Sequence, residues 1–332
     1  MTRPLVEALH RRPLSRPPVW VMRQAGRYLP EYREVRSRYG FQEAVSTPAV
    51  AAELSLQPIR RFGMDGAVIF ADIMTPLEAM GVDMTFDPGP RLRPHDLGEV
   101  IALGELDEAR VGFVAETVRL VRDRVPDEVA VIGFAGAPFT LLAYLLEGGG
   151  SKEFLAVRRA LWEDPSAAME ALSVLARAMG RYLRMQVDAG ADAVQLFDSW
   201  VGMLSRDHLD RYALAAARAA LAGIPAPTIY FGPHAHHALD LLPVVGATAY
   251  GLDWRLRLDE AWGRLGDVAV QGNLDPAVLL APEDTIRRAV ADLLEQTGGR
   301  PGHVVNLGHG IDPSTPPEHV SVLVEAVRGT GT

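Results

Sequence analysis

A chain of 332 residues is too long for a minimal domain but fits one α/β barrel, whose usual size is about 250 residues plus insertions. Its 48% hydrophobic and 23% charged residues exclude a disordered or membrane-like chain, and a net charge of -9 without a lysine-rich tract excludes nonspecific nucleic-acid binding. With no cysteine, disulfides, thiolate zinc sites and thiol nucleophiles are excluded too, leaving carboxylate, guanidinium, hydroxyl and imidazole groups for any chemistry.

Eight short apolar runs of strand length follow one another along the chain: Val19 to Met22, Ala67 to Phe70, Val129 to Phe134, Ala193 to Phe197, Pro227 to Phe231, Thr248 to Leu252, Val268 to Gln271 and His303 to Leu307. Between them lie stretches of helical spacing at Ala49 to Phe62, Glu105 to Arg124, Ser166 to Ala189, Ser205 to Ala222, Glu283 to Gln296 and Pro317 to Val327. Asp164-Pro165 reads as a helix start, as does Ser151 before a helix over Lys152 to Trp162. Near-continuous apolar strands alternating with helices are the pattern of a parallel sheet covered on both faces. Eight such units predict a single (β/α)8 TIM-type barrel over residues 1–332, with an N-terminal extension; a doubly wound open sheet is the competing arrangement. Asp83 to His95 reads as an inserted hairpin or ordered loop. No run nears the roughly 18 apolar residues of a membrane span, and MTRPLVEALHRRPLSRPPV has no secretory apolar core, so a cytoplasmic location is expected.

In a barrel the active-site loops sit at the C-terminal ends of the strands, so the residues after each run matter most. The first run opens into MRQAGRYLPEYR, with Arg23 and Arg27 around Ala25-Gly26, and the second into Ala71-Asp72. The third leads to GFAGAPFTLLAYLLEGGGSK with Tyr144, and the fourth ends Asp198-Ser199-Trp200. Later ends carry His234, Asp253-Trp254-Arg255, Asn273 and Gly308-His309-Gly310. Each has a structural reading as well. Arg23 and Arg27 can pair with Glu31 or Glu34, and Asp72 can cap a helix opening at Thr75-Pro76. Tyr144 and Ser199 can pack or cap, and His309 can make a turn hydrogen bond.

MRQAGRYLPEYR, VIFADIMTPLEAMG, GFAGAPFTLLAYLLEGGGSK, QLFDSW, GLDWR, QGNLDP and NLGHGI together resemble the uroporphyrinogen decarboxylases, in order and over nearly the whole chain. The resemblance implies a homodimeric, cytoplasmic (β/α)8 enzyme, without metal or organic cofactor, that converts uroporphyrinogen to coproporphyrinogen in haem and tetrapyrrole biosynthesis. It further implies substrate contacts from Arg23, Gln24, Ala25, Gly26, Arg27, Asp72, Tyr144, Ser199 and His309, with Asp72, Arg23 and Arg27 catalytic. The chain departs from the family pattern at YFGPHAHHALDLL and has Ser199 where many bacterial relatives carry threonine.

Losing carbon dioxide from an acetate arm leaves an electron pair that needs a sink, and a pyrrole protonated on carbon supplies one. A central carboxylate, Asp72, would stabilise the developing ring cation, while Arg23 and Arg27 hold substrate carboxylates bidentately. Tyr144 and Ser199 would hydrogen-bond further carboxylates, and His309 would bind one as imidazolium or as a neutral donor. His234, His236 and His237 look like a metal cluster but lack an acidic partner at ligand spacing and read as a solvated loop. EGGGSK has the wrong order for a phosphate loop. The alternatives are a zinc-dependent corrinoid methyltransferase of the same superfamily, whose thiolate ligands this chain lacks, and a noncatalytic tetrapyrrole-binding protein.

Overall fold

The computed structural model describes residues 3–86 and 89–329. Nine strands form: β1 (Gly66–Val68), β2 (Met84–Phe86), β3 (Pro90–Leu92), β4 (Ala130–Gly136), β5 (Ala193–Phe197), β6 (Thr228–Phe231), β7 (Ala249–Gly251), β8 (Ala269–Leu274) and β9 (His303–Leu307). Seven make one curled, wholly parallel sheet in the order β1-β4-β5-β6-β7-β8-β9, with helices in the crossovers. Every residue of β4, β8 and β9 is buried: β4 accordingly runs apolar without alternation, while the polar Gln271, Asn273, His303 and Asn306 of β8 and β9 each make a hydrogen bond.

The predicted first strand forms no ladder of its own; only Val19 bridges, in parallel, to Val305 of β9. The segment is nevertheless held on both sides. Val305 N–H donates to the Pro18 carbonyl at 2.9 Å, and Asp65 N–H, just before β1, donates to the Val19 carbonyl at 2.8 Å. The Asp65 carboxylate accepts from Val19 N–H and takes both guanidinium ends of Arg16, each at 2.8 Å. A backbone segment that would otherwise leave buried polar groups unpaired is thereby satisfied.

Two cores result. The larger lies between the sheet and its helices. The smaller is formed by side chains on the sheet's other face, Ala130, Ile132, Ile229, Phe231 and Val304 among them, together with Trp20 and with Leu5 and Leu9 of the helix Pro4–Leu9. Burying each of those leucines contributes about 1.5–3 kcal/mol. Their fit constrains β1, because a Cβ on Gly66 would lie 2.8 Å from Ile132 Cδ1 and 3.0 Å from Leu5 Cδ1. A polar thread crosses this interior: Trp20 Nε1 donates to Gln271, whose amide donates to Gln195, both at 3.0 Å.

The hairpin expected in 83–95 forms as the antiparallel pair β2 and β3, with Met84 opposite Leu92; residues 87–88 lie outside the described residues. It docks on the EGGG stretch, where Leu92 N–H donates to the Gly148 carbonyl at 3.2 Å. Gly148 is left-handed, with a φ of 77°, and a Cβ there would meet the Leu92 carbonyl at 2.9 Å, so close backbone approach explains the glycine.

Three helix expectations need correction. Ser151 does not open its helix at Lys152: its hydroxyl accepts from Phe154 N–H at 3.1 Å, and the helix runs Leu155–Glu163, its start capped by Glu147 through Ala156 N–H at 2.7 Å. Glu105 to Arg124 begins instead as a 3-10 turn at Glu108–Val111, nucleated by the Asp107 carboxylate, before the α-helix Gly112–Arg122. Ser205 to Ala222 is divided into Arg206–His208, a π-turn over Leu209–Leu214, and Ala215–Leu221.

Candidate active site

The mouth begins with the loop after Val21. Gln24 is buried and spends its side chain on structure, accepting from Val21 N–H at 3.1 Å and donating to the Gly66 carbonyl at 2.9 Å. That amide ties the loop to β1. Arg23 is left-handed, with a φ of 62°, a conformation that costs a non-glycine residue about 1–2 kcal/mol. Gly26 closes the same turn, since a Cβ there would lie 2.7 Å from the Arg23 carbonyl. The Arg23 side chain crosses Gly310, where a Cβ would stand 2.4 Å from Arg23 Cδ. Ala25 is half-buried in the turn, and Arg27 is exposed with its carbonyl held by Arg33 at 2.7 Å.

The structural alternative for the two arginines is not what forms. Glu31 pairs with Arg61 and Glu34 with Arg38, while Arg23 and Arg27 have no ion pair among the described residues. For Asp72 the alternative is half right. Its Oδ1 accepts from Met74 N–H at 2.8 Å and its own N–H donates to Thr75 Oγ1 at 3.2 Å, at the start of the helix Thr75–Ala79. The other carboxylate oxygen takes no hydrogen bond among the described residues. Burial pushes the Asp72 carboxyl above the usual range, and Glu78 adds to this; the Met74 N–H and the charge of Arg23 pull it back only in part.

Tyr144, on the helix Pro138–Glu147, meets the edge of Trp200 with ring centroids 5.9 Å apart. Burial raises its phenol; the Trp200 indole and Arg23 oppose the rise and Asp72 adds to it. His309 is half-buried in its Gly-flanked turn, and burial, Arg23, His234 and Arg255 bring it down to about 4 against the opposing pull of Asp253. The imidazolium option is therefore corrected: at neutral pH His309 is a neutral donor or acceptor. Arg23, Asp72, Tyr144 and His309 thus share one electrostatic environment. Arg27 lies near Tyr32, whose phenol burial raises against the pull of Arg36 and, least, of Arg27, and Ser199 is half-buried with no hydroxyl hydrogen bond among the described residues.

The histidine-rich loop is in part the solvated segment expected, since His234 and His237 are exposed, but it is also tied down by hydrogen bonds. His236 Nε2 bonds the buried Asp253 carboxylate at 2.6 Å, His234 N–H donates to it at 2.6 Å, and His237 Nε2 bonds the Leu204 carbonyl at 3.0 Å. Among the described residues no cluster of three or more His, Cys, Asp or Glu groups has a metal-holding arrangement.

Asp198 is a residue that sequence reasoning passed over, although its place after a strand signalled it. It is fully buried without a cation, accepting from Thr140 Oγ1 and Tyr230 OH, both at 2.8 Å, and burial raises it to about 6 against those two bonds. A raised acid contributes stability that is present below its unfolded value and lost as pH climbs through its folded value. Asp198→Asn is therefore expected to gain thermal stability relative to the parent between about pH 4 and pH 6 and to hold a constant difference above. Paired melting curves across that range check this, and a flat or falling difference refutes it.

An incompletely bonded carboxylate within reach of the charge of Arg23, which has no ion pair among the described residues, is what a barrel-type enzyme acting on acidic substrates would carry at its strand ends. The chain matches the family model described as Uroporphyrinogen decarboxylase (URO-D) over residues 2–330. It is 46% identical to a uroporphyrinogen decarboxylase of Chloroflexus aggregans (strain MD-66 / DSM 9485), covering 97% of this chain and 94% of that one. The one of Syntrophotalea carbinolica (strain DSM 2380 / NBRC 103641 / GraBd1) is also 46% identical, over 97% and 96%. The chain belongs to the uroporphyrinogen decarboxylase family. In fold it is similar to a methyltransferase from Methanosarcina mazei, with a TM-score of 0.83 at 21% identity over 98% of this chain and 97% of that one.

Proposed function

We propose that this chain removes the carboxylates from the four acetate arms of uroporphyrinogen III, giving coproporphyrinogen III, without metal or organic cofactor. In this reading the segment Pro18–Val21 is the eighth stave of a closed (β/α)8 barrel, its hydrogen bonds to β9 and to Asp65 supporting closure, and the helix Pro4–Leu9 is an N-terminal extension stopping the barrel's lower end. The molecule is cytoplasmic and pairs with a second copy. Among the described residues no helix is long and apolar enough to cross a membrane. Leu155 and Trp162, 64% and 74% exposed on one cleft, supply apolar surface for pairing.

The observation that carries the proposal is Asp72, a carboxylate with one oxygen free of hydrogen bonds among the described residues and within reach of the charge of Arg23. Protonating a pyrrole carbon makes the ring an electron-accepting cation. The bond from methylene to carboxylate then breaks, its electrons pass into the ring and neutralise it, carbon dioxide leaves, a proton is added to the methylene, and the ring carbon gives back the proton it took, restoring the aromatic pyrrole. Asp72 stabilises the ring cation through the inward N–H groups, a preorganised charge contact that acts in the transition state. Arg23 and Arg27 grip carboxylate arms, with Tyr144, Ser199 and neutral His309 donating further bonds. Gln24, Ala25 and Gly26 contribute through the shape of their turn.

Anaerobic incubation of chelator-treated protein with uroporphyrinogen, followed by oxidation and chromatography, tests this. Product carboxylates are expected to fall from eight to four. Unchanged octacarboxylate refutes the activity, and loss under chelation with recovery on zinc refutes the metal-free reading in favour of a methyltransferase-like site.

A further inference from the structure

We propose that Arg255 is a further carboxylate anchor, holding an arm of the substrate on the flank of His309 away from Arg23. The inference rests on the decarboxylase reading above.

His309 is seated between two supports. A Cβ on Gly308 would lie 2.5 Å from the backbone N of Trp254 and 3.0 Å from Asp253 Cα, whereas one on Gly310 would lie 2.4 Å from Arg23 Cδ. The neighbours of the histidine are therefore each pressed against a different arginine-bearing element. Arg23 comes from the loop after Val21, and Arg255 from the stretch beyond the C-terminal end of β7, elsewhere on the sheet.

Arg255 is held without being used up. Its guanidinium carbon lies 4.2 Å from the centre of the Trp254 ring, and one nitrogen lies 3.3 Å from Asp253 Oδ2. Asp253 needs little from that nitrogen, because His234 N–H, His236 Nε2 and the Arg255 N–H reach it at 2.6, 2.6 and 3.0 Å. Burial alone would raise Asp253; these donors keep it below the usual range and hence charged. The rest of the Arg255 fork makes no hydrogen bond among the described residues, and its side chain is 38% exposed. A guanidinium fixed by a ring face and one carboxylate oxygen loses little rotamer freedom on meeting a second carboxylate.

The substrate supplies the need for it. Up to eight carboxylates surround a macrocycle, while Arg23 and Arg27 both arise from a single loop and His309 is uncharged. Without another cation, arms on the far side of the ring would lose water with no positive partner.

Arg255→Gln removes the charge and the guanidinium fork but keeps the first part of the stem and a polar end. Steady-state kinetics with uroporphyrinogen should show KM raised about tenfold, with kcat changed far less, as expected for a contact made equally in ground and transition states. An unchanged KM overturns the assignment, and so does a fall in kcat at constant KM, which would mean only that the Asp253 cluster had been disturbed. Arg255→Met serves the same comparison if the glutamine variant does not fold. If the parent itself leaves uroporphyrinogen unchanged, the decarboxylase reading has failed, which is distinct from a parent that turns over normally beside a variant of equal KM.

Discussion

Replacing Asp72 by Asn is expected to lower kcat for uroporphyrinogen at least about tenfold while the protein still folds. Asparagine retains an oxygen at the position that accepts Met74 N–H, so the turn into the helix Thr75–Ala79 keeps its bond. What it loses is the negative charge, and with it, in the proposed mechanism, the stabilisation of the protonated ring that accepts the electrons as carbon dioxide departs. The pH dependence offers a second readout. Burial holds the Asp72 carboxyl above its usual range, so the acid limb of kcat/KM should lie above the 3.8 of a free aspartate, with activity present above that limb and lost below it. The residual activity of the asparagine variant should lack that limb. Wild-type turnover in the variant would remove the charge from the mechanism.

Arg23→Ala should raise KM by roughly tenfold to a hundredfold, the equivalent of losing a charged hydrogen bond of about 1.5–3 kcal/mol. Lysine at this position should restore only part of the loss, because an ammonium cannot reproduce the planar fork. A separate measurement checks the placement without any turnover. The charge of Arg23 is the largest cause after burial for the depressed His309 imidazole, so its removal should move the His309 titration upward from about 4 in a histidine NMR experiment. An unmoved imidazole together with an unchanged KM would take Arg23 out of the mouth.

The strands most legible in the sequence were those buried on both sides. Ala193 to Phe197 and His303 to Leu307 form with the expected bounds because an unbroken apolar run between turn residues leaves little choice of register. Val19 to Met22 read equally well, yet only Val19 pairs, since this segment is fixed by Asp65, Arg16 and Asn306, whose contributions are tertiary. The same division runs through the site. Arg23, Asp72 and His309 were visible because each follows an apolar run, and Tyr144 because it is a polar group inside an otherwise apolar helix. The choice between the imidazolium and the neutral His309 was not, because it depends first on burial and then on the charges of Arg23, His234 and Arg255 gathered from several strand ends. Nor was the Asp253 cluster, whose donors come from a loop that looked merely polar, nor Asp198, whose hydroxyl partners belong to a different helix and a different strand.

The contact between Arg23 and Gly310 joins the loop after Val21 to the turn after β9. During synthesis on the ribosome the arginine emerges early and has nowhere to rest until the final strand and its turn have been made. In the proposed mechanism turnover therefore waits on a long-range closure that helix and sheet content alone would not register.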